Sequence, residues 1–347
     1  MNVCSTEVKQ YILYTDDSIL AGPDQSEIDQ IIKDLKQAKL DITVEGDLQD
    51  FLGVNIHKRK DGSIHLSQPH LIDQILKDLR LDGDNVKTKD TPAAASKILH
   101  RHSKSETFDN SFHYRSVIGK LNYLDKCSRS DISYATHQCA RFSSCPKKEH
   151  GDAVRWIGRY LKGTRNKGTI FKPTQKGLEM YVDADFAGNW DPTEALNDRD
   201  TARSRHGYII TYAGCPIVWK SQLQTEISLS STEREYTGLS RSPREAIPLM
   251  GLLNEMKNKD FPMSGTTPTV KCKIFEDNSG AIEIAMHHKY RPRTKHINNK
   301  LHHFRDYVMR KEIEVLPIKS EDQNADYLTK PVCANLLTKL RYKTMGW

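Results

Sequence analysis

The chain has 347 residues, 37% of them apolar and 28% charged, with a formal net charge of +7. That length exceeds what one compact core usually organises, so two or three domains are expected, and the mild basic excess is compatible with a polyanionic partner without requiring one. The seven cysteines are scattered with no Cys-x-x-Cys pair, which argues against a zinc site and a disulfide framework. The N-terminal residues lack an apolar signal core and no apolar run approaches membrane-spanning length. The chain therefore reads as soluble and intracellular, not secreted, with no membrane partner.

From the N-terminus, residues 11–15 and 18–21 read as strands joined at Asp16 and Asp17, a hairpin whose tip presents two carboxylates. Residues 27–40 carry helical spacing in Ile28, Ile31, Ile32 and Leu35, with Ser26 as the expected cap. Two strands, 51–56 and 63–66, flank the hairpin signal Lys60-Asp-Gly62, and 70–81 has the pattern of a second amphipathic helix. The polar stretch 82–110 reads as a linker or long loop and is expected to be flexible. Helical spacing returns from 114 to 162, through Val117, Leu121 and Leu124 and then Val154, Ile157, Tyr160 and Leu161. The basic residues there (Lys147, Lys148, Arg155, Arg159, Lys162, Arg165, Lys167) suit either a phosphate-tracking face or a solvated helix surface.

Beyond Gly177 the order becomes strand, two strands, helix, strand, two helices, strand, helix. The strands are 178–183, 207–212, 217–220, 270–275 and 313–317, and helices begin near Ser231, Ser279, Lys295 and Asp322. A hairpin feeding alternating helices and strands implies a mixed sheet covered on both faces. Four carboxylates, Asp183, Glu235, Asp277 and Asp326, stand in four separate segments of this half. Carboxylates at strand ends and helix starts can converge and hold two divalent cations, the apparatus for in-line displacement at a phosphodiester.

Tyr14-Thr-Asp-Asp17 resembles the Tyr-x-Asp-Asp motif of reverse transcriptases, and Phe51-Leu-Gly-Val54 the primer-gripping strand that follows it. Tyr114-Arg-Ser-Val-Ile-Gly-Lys-Leu-Asn-Tyr123, Ser130-Asp-Ile-Ser-Tyr-Ala135 and Arg159-Tyr-Leu-Lys-Gly-Thr164 resemble the thumb and connection of copia-type LTR retrotransposon polyproteins. Asp183-Ala-Asp-Phe-Ala-Gly188, Arg203-Ser-Arg-His-Gly-Tyr208, Leu229-Ser-Ser-Thr-Glu-Arg-Glu-Tyr236, Asp277-Asn-Ser-Gly-Ala-Ile282, Arg293-Thr-Lys-His-Ile297 and Asn324-Ala-Asp-Tyr-Leu-Thr-Lys-Pro331 resemble the ribonuclease H of that family. The resemblance covers nearly the whole chain. It implies an α/β fold: a palm remnant over 1–68, a helical thumb and connection over 69–176, and a ribonuclease H-like mixed five-stranded sheet with helices on both faces over 177–347.

The resemblance further implies cleavage of the RNA strand of RNA/DNA hybrids by two Mg²⁺ ions, with Mn²⁺ as substitute, in the cytoplasm or nucleus. Its four ligands carry over to Asp183, Glu235, Asp277 and Asp326. Asp185 would point the same way as Asp183 only if the strand continued; Glu235 is matched over Glu233, and Asp277 over Glu276. Ser231, Thr232 and Asn278 flank the cluster suitably for substrate contacts, and His296 and His303 share a helical face that suits either the scissile phosphate or packing.

Two departures from the family pattern stand out. A polymerase palm needs a further aspartate on an earlier strand than the one before Asp16 and Asp17, so the chain alone is expected not to synthesise DNA. Pro243 and Pro248 interrupt the helical pattern after Glu235, which should either break near Ser242 or kink twice. They leave a non-catalytic nucleic-acid-binding relic as the alternative to an active enzyme.

Overall fold

The computed structural model describes residues 10–15, 17–22, 24–95, 98–101, 105–193, 197–259, 263, 270–286 and 302–347. The expected hairpin opens it, with β1 (Gln10–Tyr14) antiparallel to β2 (Asp17–Ala21). The helix α1 (Gln25–Gln37) follows, capped by Asp24 and not by Ser26: the Asp24 carboxylate accepts the Ser26 amide at 2.8 Å. β3 (Asp50–Phe51), β4 (Val54–Lys58) and β5 (Ile64–Ser67) form a meander that β6 (Thr169–Phe171) extends from across the chain. The turn between β4 and β5 needs Gly62 at φ +81°, a conformation a Cβ disfavours.

Helices α2 (Pro69–Asp78), α3 (Tyr114–Cys127), α4 (Ser133–Ala140) and α5 (Lys148–Gly163) pack together through Ile72, Val117, Leu121 and Ile157. The stretch 82–110 differs from the expected flexible linker. Its described residues are coil, but Leu99 and Phe108 are buried in the same core, and Phe108 meets Phe112 and Tyr114 edge-on. Two widely spaced apolar anchors carry no period, so their docking left no pattern to read.

The second sheet comprises β7 (Leu178–Asp185), β8 (Arg205–Tyr212), β9 (Cys215–Leu223), β10 (Cys272–Glu276) and β11 (Ile313–Pro317), in the order β11-β10-β7-β8-β9. β7, β8 and β9 are antiparallel, whereas β10 runs parallel to both β7 and β11, so the sheet is mixed as expected. One face carries α6 (Ser231–Arg241), α7 (Pro243–Asn258), α8 (Ser279–Met286) and α9 (His302–Met309). On that side Met180, Val182, Ile210, Ile274 and Val315 pack against Tyr236, Leu239, Met250 and Phe304. The other face turns Tyr181, Ile209 and Trp219 toward α2–α5, together with α10 (Asp326–Thr329) and α11 (Ala334–Met345). Successive residues of a strand point to opposite faces, so a central strand covered on both sides buries nearly every residue, as β7 does.

The apolar core that starts at Ile72 continues without a break to Leu340. One apolar core therefore spans residue 177, the expected start of a separate domain, while a second core, Leu178 to Val315, lies wholly beyond it. Polar contacts cross the same seam. Trp219 Nε1 donates to the Asp125 carbonyl at 3.0 Å, and the Ser130 and Tyr327 hydroxyls lie 3.0 Å apart. Arg129 and Asp131 are both fully buried and paired through two hydrogen bonds of 2.9 and 2.8 Å. Tyr160 donates to Asp131 and in turn accepts from Arg341 at 2.7 Å, so each charge is hydrogen-bonded on several sides.

Of the two outcomes open for the prolines, the break occurs. α6 ends at Arg241 and Pro243 takes the first position of α7, where no helical amide bond is lost. Pro248 alone lies inside a helix, on the exposed side of α7. The helix expected from Asp322 is instead a short 3₁₀ turn, Ser320–Asp322, with α10 starting at Asp326. The start expected at Lys295 lies outside the described residues.

Candidate active site

β7 and β10 are parallel neighbours with Tyr181 opposite Phe275. Carrying that register two residues further brings Asp183 level with Asp277, just past the end of β10. Beyond Tyr181 the β7 carbonyls have no β10 partner, and two side chains use them: Arg234 donates to the Ala184 carbonyl, and Gln323 to the Val182 carbonyl at 2.8 Å. The strand end thereby anchors both the helix bearing Glu235 and the turn leading to Asp326.

α6 begins with a reciprocal cap. The Ser230 hydroxyl accepts the Glu233 amide at 3.1 Å, and the Glu233 carboxylate accepts the Leu229 amide at 2.8 Å. Glu233 is used in the cap, and Glu235 is the glutamate that faces the strand. One carboxylate oxygen from each of Asp183, Glu235 and Asp277 lies within 4.8 Å of the others. Asp326 stands at the edge of this group, where its Oδ1 pairs with Lys330 Nζ at 2.9 Å. Thr329, on the same short helix, donates its hydroxyl to Asp183 Oδ2. α10 comes this close because Gly207 faces Asp183 on β8. A Cβ at Gly207 would fall 2.7 Å from Leu328 Cβ and 3.0 Å from Thr329 Cγ2.

Packing acids together in a buried place has electrostatic consequences. Burial, and then the neighbouring Asp326, pushes Asp183 up to about 6. Burial, then Asp183 and Glu276, pushes Glu235 up to about 10. Burial raises Asp326 and Glu276 as well. β7 continues to Asp185, which shares a strand face with Asp183; burial raises it too, opposed by Arg234 and Lys330. Glu276 is fully buried, with Oε1 accepting the Asn278 amide at 3.0 Å.

The buried oxygens Glu235 Oε2 and Glu276 Oε2 meet no hydrogen-bond donor among the described residues. Orphaned carboxylate oxygens in an all-oxygen, acidic cluster fit a hard divalent cation. Asp183, Glu235 and Asp277 are the residues placed to hold it.

The other expected contacts fall out unevenly. Ser231 is exposed at the start of α6, and Thr232 is half-buried against Gly280 at the start of α8. The Asn278 side chain caps α8, accepting the Ala281 amide at 2.9 Å. His296 lies outside the described residues, as does the side chain of His303 on α9. Asp16 is likewise outside them, while Asp17 is exposed at the first residue of β2.

Several of the basic residues weighed for a phosphate-tracking face have partners within the fold: Lys162 donates to the Leu81 carbonyl at 3.1 Å and Arg155 to Ser111, while Arg165 forks onto Asp73 and Lys148 pairs with Glu106 at the exposed surface. The sequence reading missed Thr329, Gln323, Arg234, Gly207 and Lys330. Only Lys330 carried a legible signal, its spacing of four from Asp326, which pairs charges along a helix.

No protein-family model matches the chain. It is 33% identical over 332 residues to the retrovirus-related Pol polyprotein from transposon TNT 1-94 of Nicotiana tabacum, covering 93% of this chain and 23% of that relative. The chain thus spans less than a quarter of that relative's length. Among solved structures, the foamy viral protease-reverse transcriptase in complex with RNA/DNA hybrid aligns with 89% of this chain and 36% of its own, at 12% identity and a TM-score of 0.46. An N-terminal ribonuclease H domain from Mycobacterium tuberculosis, fused to maltose-binding protein, aligns with 48% of this chain and 96% of its own, at 12% identity and a TM-score of 0.30.

Proposed function

The chain belongs to the retrovirus-related Pol polyproteins of copia-type transposons, and we propose that its C-terminal half hydrolyses the RNA strand of RNA/DNA hybrids. The observation that carries this reading is the convergence of Asp183, Glu235 and Asp277, with Asp326 beside them, at the end of a central strand. Divalent cations bound there supply an activated water and charge stabilisation for the phosphate and the leaving 3′-oxygen. The chain's own residues hold the ligands in place. Thr329 fixes one oxygen of Asp183, Arg234 pairs with Glu235 Oε1 at 3.0 Å, and Ser320 donates to Asp277 Oδ2 at 2.7 Å. Ser231 and Thr232, at the exposed start of α6, are the proposed contacts to the RNA strand, whose 2′-hydroxyls distinguish it in the minor groove.

Beside the incomplete polymerase part, the prolines were one ground for the relic reading. Both lie beyond α6, so the helix bearing Glu235 keeps its own bonds. Asp183→Asn and Glu235→Gln should each lower Mg²⁺-dependent hybrid cleavage by roughly 10³-fold while leaving the circular dichroism unchanged. Hybrid binding by a folded wild-type chain that never cuts would restore the relic reading.

A further inference from the structure

We propose that the cavity between α4, α5 and the coil segments 91–95 and 98–101 is a binding site for a small, uncharged aromatic molecule with one hydrogen-bond acceptor, of the aryl ketone kind. The cavity shares no residue with the carboxylate cluster, so the proposal stands independently of the nuclease reading.

Its first support is space that the fold holds open. The cavity measures about 200 Å³. Ala93 and Leu99 from the coil, Ala135 and Cys139 from α4, and Ala153 and Trp156 from α5 supply its apolar wall. Half of these side chains are single methyl groups, too short to fill the gap between two helices and a coil. Specific contacts hold the coil at this distance. Trp156 Nε1 donates to the Thr91 carbonyl at 2.8 Å, and Lys89 Nζ lies 4.0 Å from the centroid of the same indole. The Thr91 hydroxyl donates to the Ala93 carbonyl at 2.9 Å, and Leu99 is anchored in the core. An apolar cavity of about 150 Å³ stays dry and takes up benzene. The space here is larger and admits a substituted ring.

The second support is one unused donor on the wall. Tyr134 and Gln138, both on α4, line the cavity. Gln138 commits both amide hydrogens, to the Tyr134 hydroxyl at 3.0 Å and to Asn189 Oδ1 at 2.8 Å, and its Oε1 accepts from Arg141 at 2.9 Å. The Tyr134 hydroxyl accepts from Gln138 but donates to no group among the described residues, which leaves its hydrogen for a ligand. Arg205 lies over the Tyr134 ring, 5.2 Å from its centroid, and steadies the phenol from behind. Asp152, the charged residue of the lining, already pairs with Arg155 at 4.0 Å, so an ionic ligand would lose its hydration against a counter-charge already engaged. An apolar wall with a single placed donor selects a neutral ring bearing one acceptor.

The test titrates acetophenone and ethylbenzene, probes of similar size, into the full chain and follows binding by calorimetry and ligand-detected magnetic resonance. Wild type is compared with Tyr134→Phe, Ala153→Leu and Ala93→Leu, each first checked for a cooperative melt. Wild type should bind both probes saturably. Tyr134→Phe should weaken acetophenone about tenfold, because the ketone is then buried without a donor, and leave ethylbenzene within about twofold. Ala153→Leu and Ala93→Leu fill the cavity from different walls, and either one that folds should lose both probes. Absence of saturable binding to the wild type would overturn the proposal. So would full binding by a folded cavity-filling variant, or unchanged acetophenone affinity in Tyr134→Phe.

Discussion

With Asp183 raised to about 6 and Glu235 to about 10, the folded cluster keeps protons that the unfolded chain releases near ordinary carboxylate values. Stability falls with pH wherever the folded state binds more protons. The cation-free protein should accordingly lose stability as pH rises above about 4, through about 6 for Asp183 and on toward about 10 for Glu235. A divalent ion offsets the same repulsion, so thermal melts in chelator should drop with pH while melts in Mg²⁺ stay flatter. A chelator curve that rises over this range would contradict the cluster's electrostatics. The acidic residues were legible through the resemblance of their motifs to a known family; each carboxylate alone would read as a solvated cap or surface residue. Thr329, Gln323 and Arg234 were not, since each acts across a tertiary contact with β7 that no local spacing encodes.

At the level of elements, α10 depends on the missing side chain of Gly207. Gly207→Ala would force a methyl against Leu328 and Thr329, costing on the order of 1–3 kcal/mol and displacing Asp326 and Thr329. Hybrid cleavage should fall with it; cleavage at the wild-type rate would show that α10 does not position the site. Pro248 makes the opposite case. It lies exposed inside α7, so Pro248→Ala should stabilise the protein by up to about 3 kcal/mol in urea unfolding. An unchanged midpoint would mean that α7 already accommodates the ring without loss. The strands could be read because β7 and β8 are buried on both faces along nearly their whole length, while β10 and β11 alternate buried and exposed residues. The helix expected from Asp322 could not, because Asp322 closes a 3₁₀ turn and the helix that follows it, Asp326–Thr329, has too few residues to show a period.

Taken whole, the molecule does not divide where its motifs do. Tyr181, Ile209 and Trp219 bury one face of the second sheet against helices that lie before residue 177. Residues 177–347 keep the core on the other side of the sheet but should expose that face, so their melting midpoint should lie well below that of 69–347. Equal midpoints for 177–347 and 69–347 would contradict a shared core. Family membership was readable from the order of the motifs, but their meeting in one core was not, because Trp219 and Asp125 lie far apart in sequence and join only in the fold.

The central claim is that Asp183, Glu235 and Asp277 form a working cation-dependent nuclease. Its most direct test is incubation of the purified full chain with an RNA/DNA hybrid labelled on the RNA strand, with and without Mg²⁺, beside Asp183→Asn. The expected result is Mg²⁺-dependent cutting of the RNA strand to 5′-phosphate products by the wild type and none by the variant. Equal cutting by both proteins, or no cutting by a folded wild type, would contradict it.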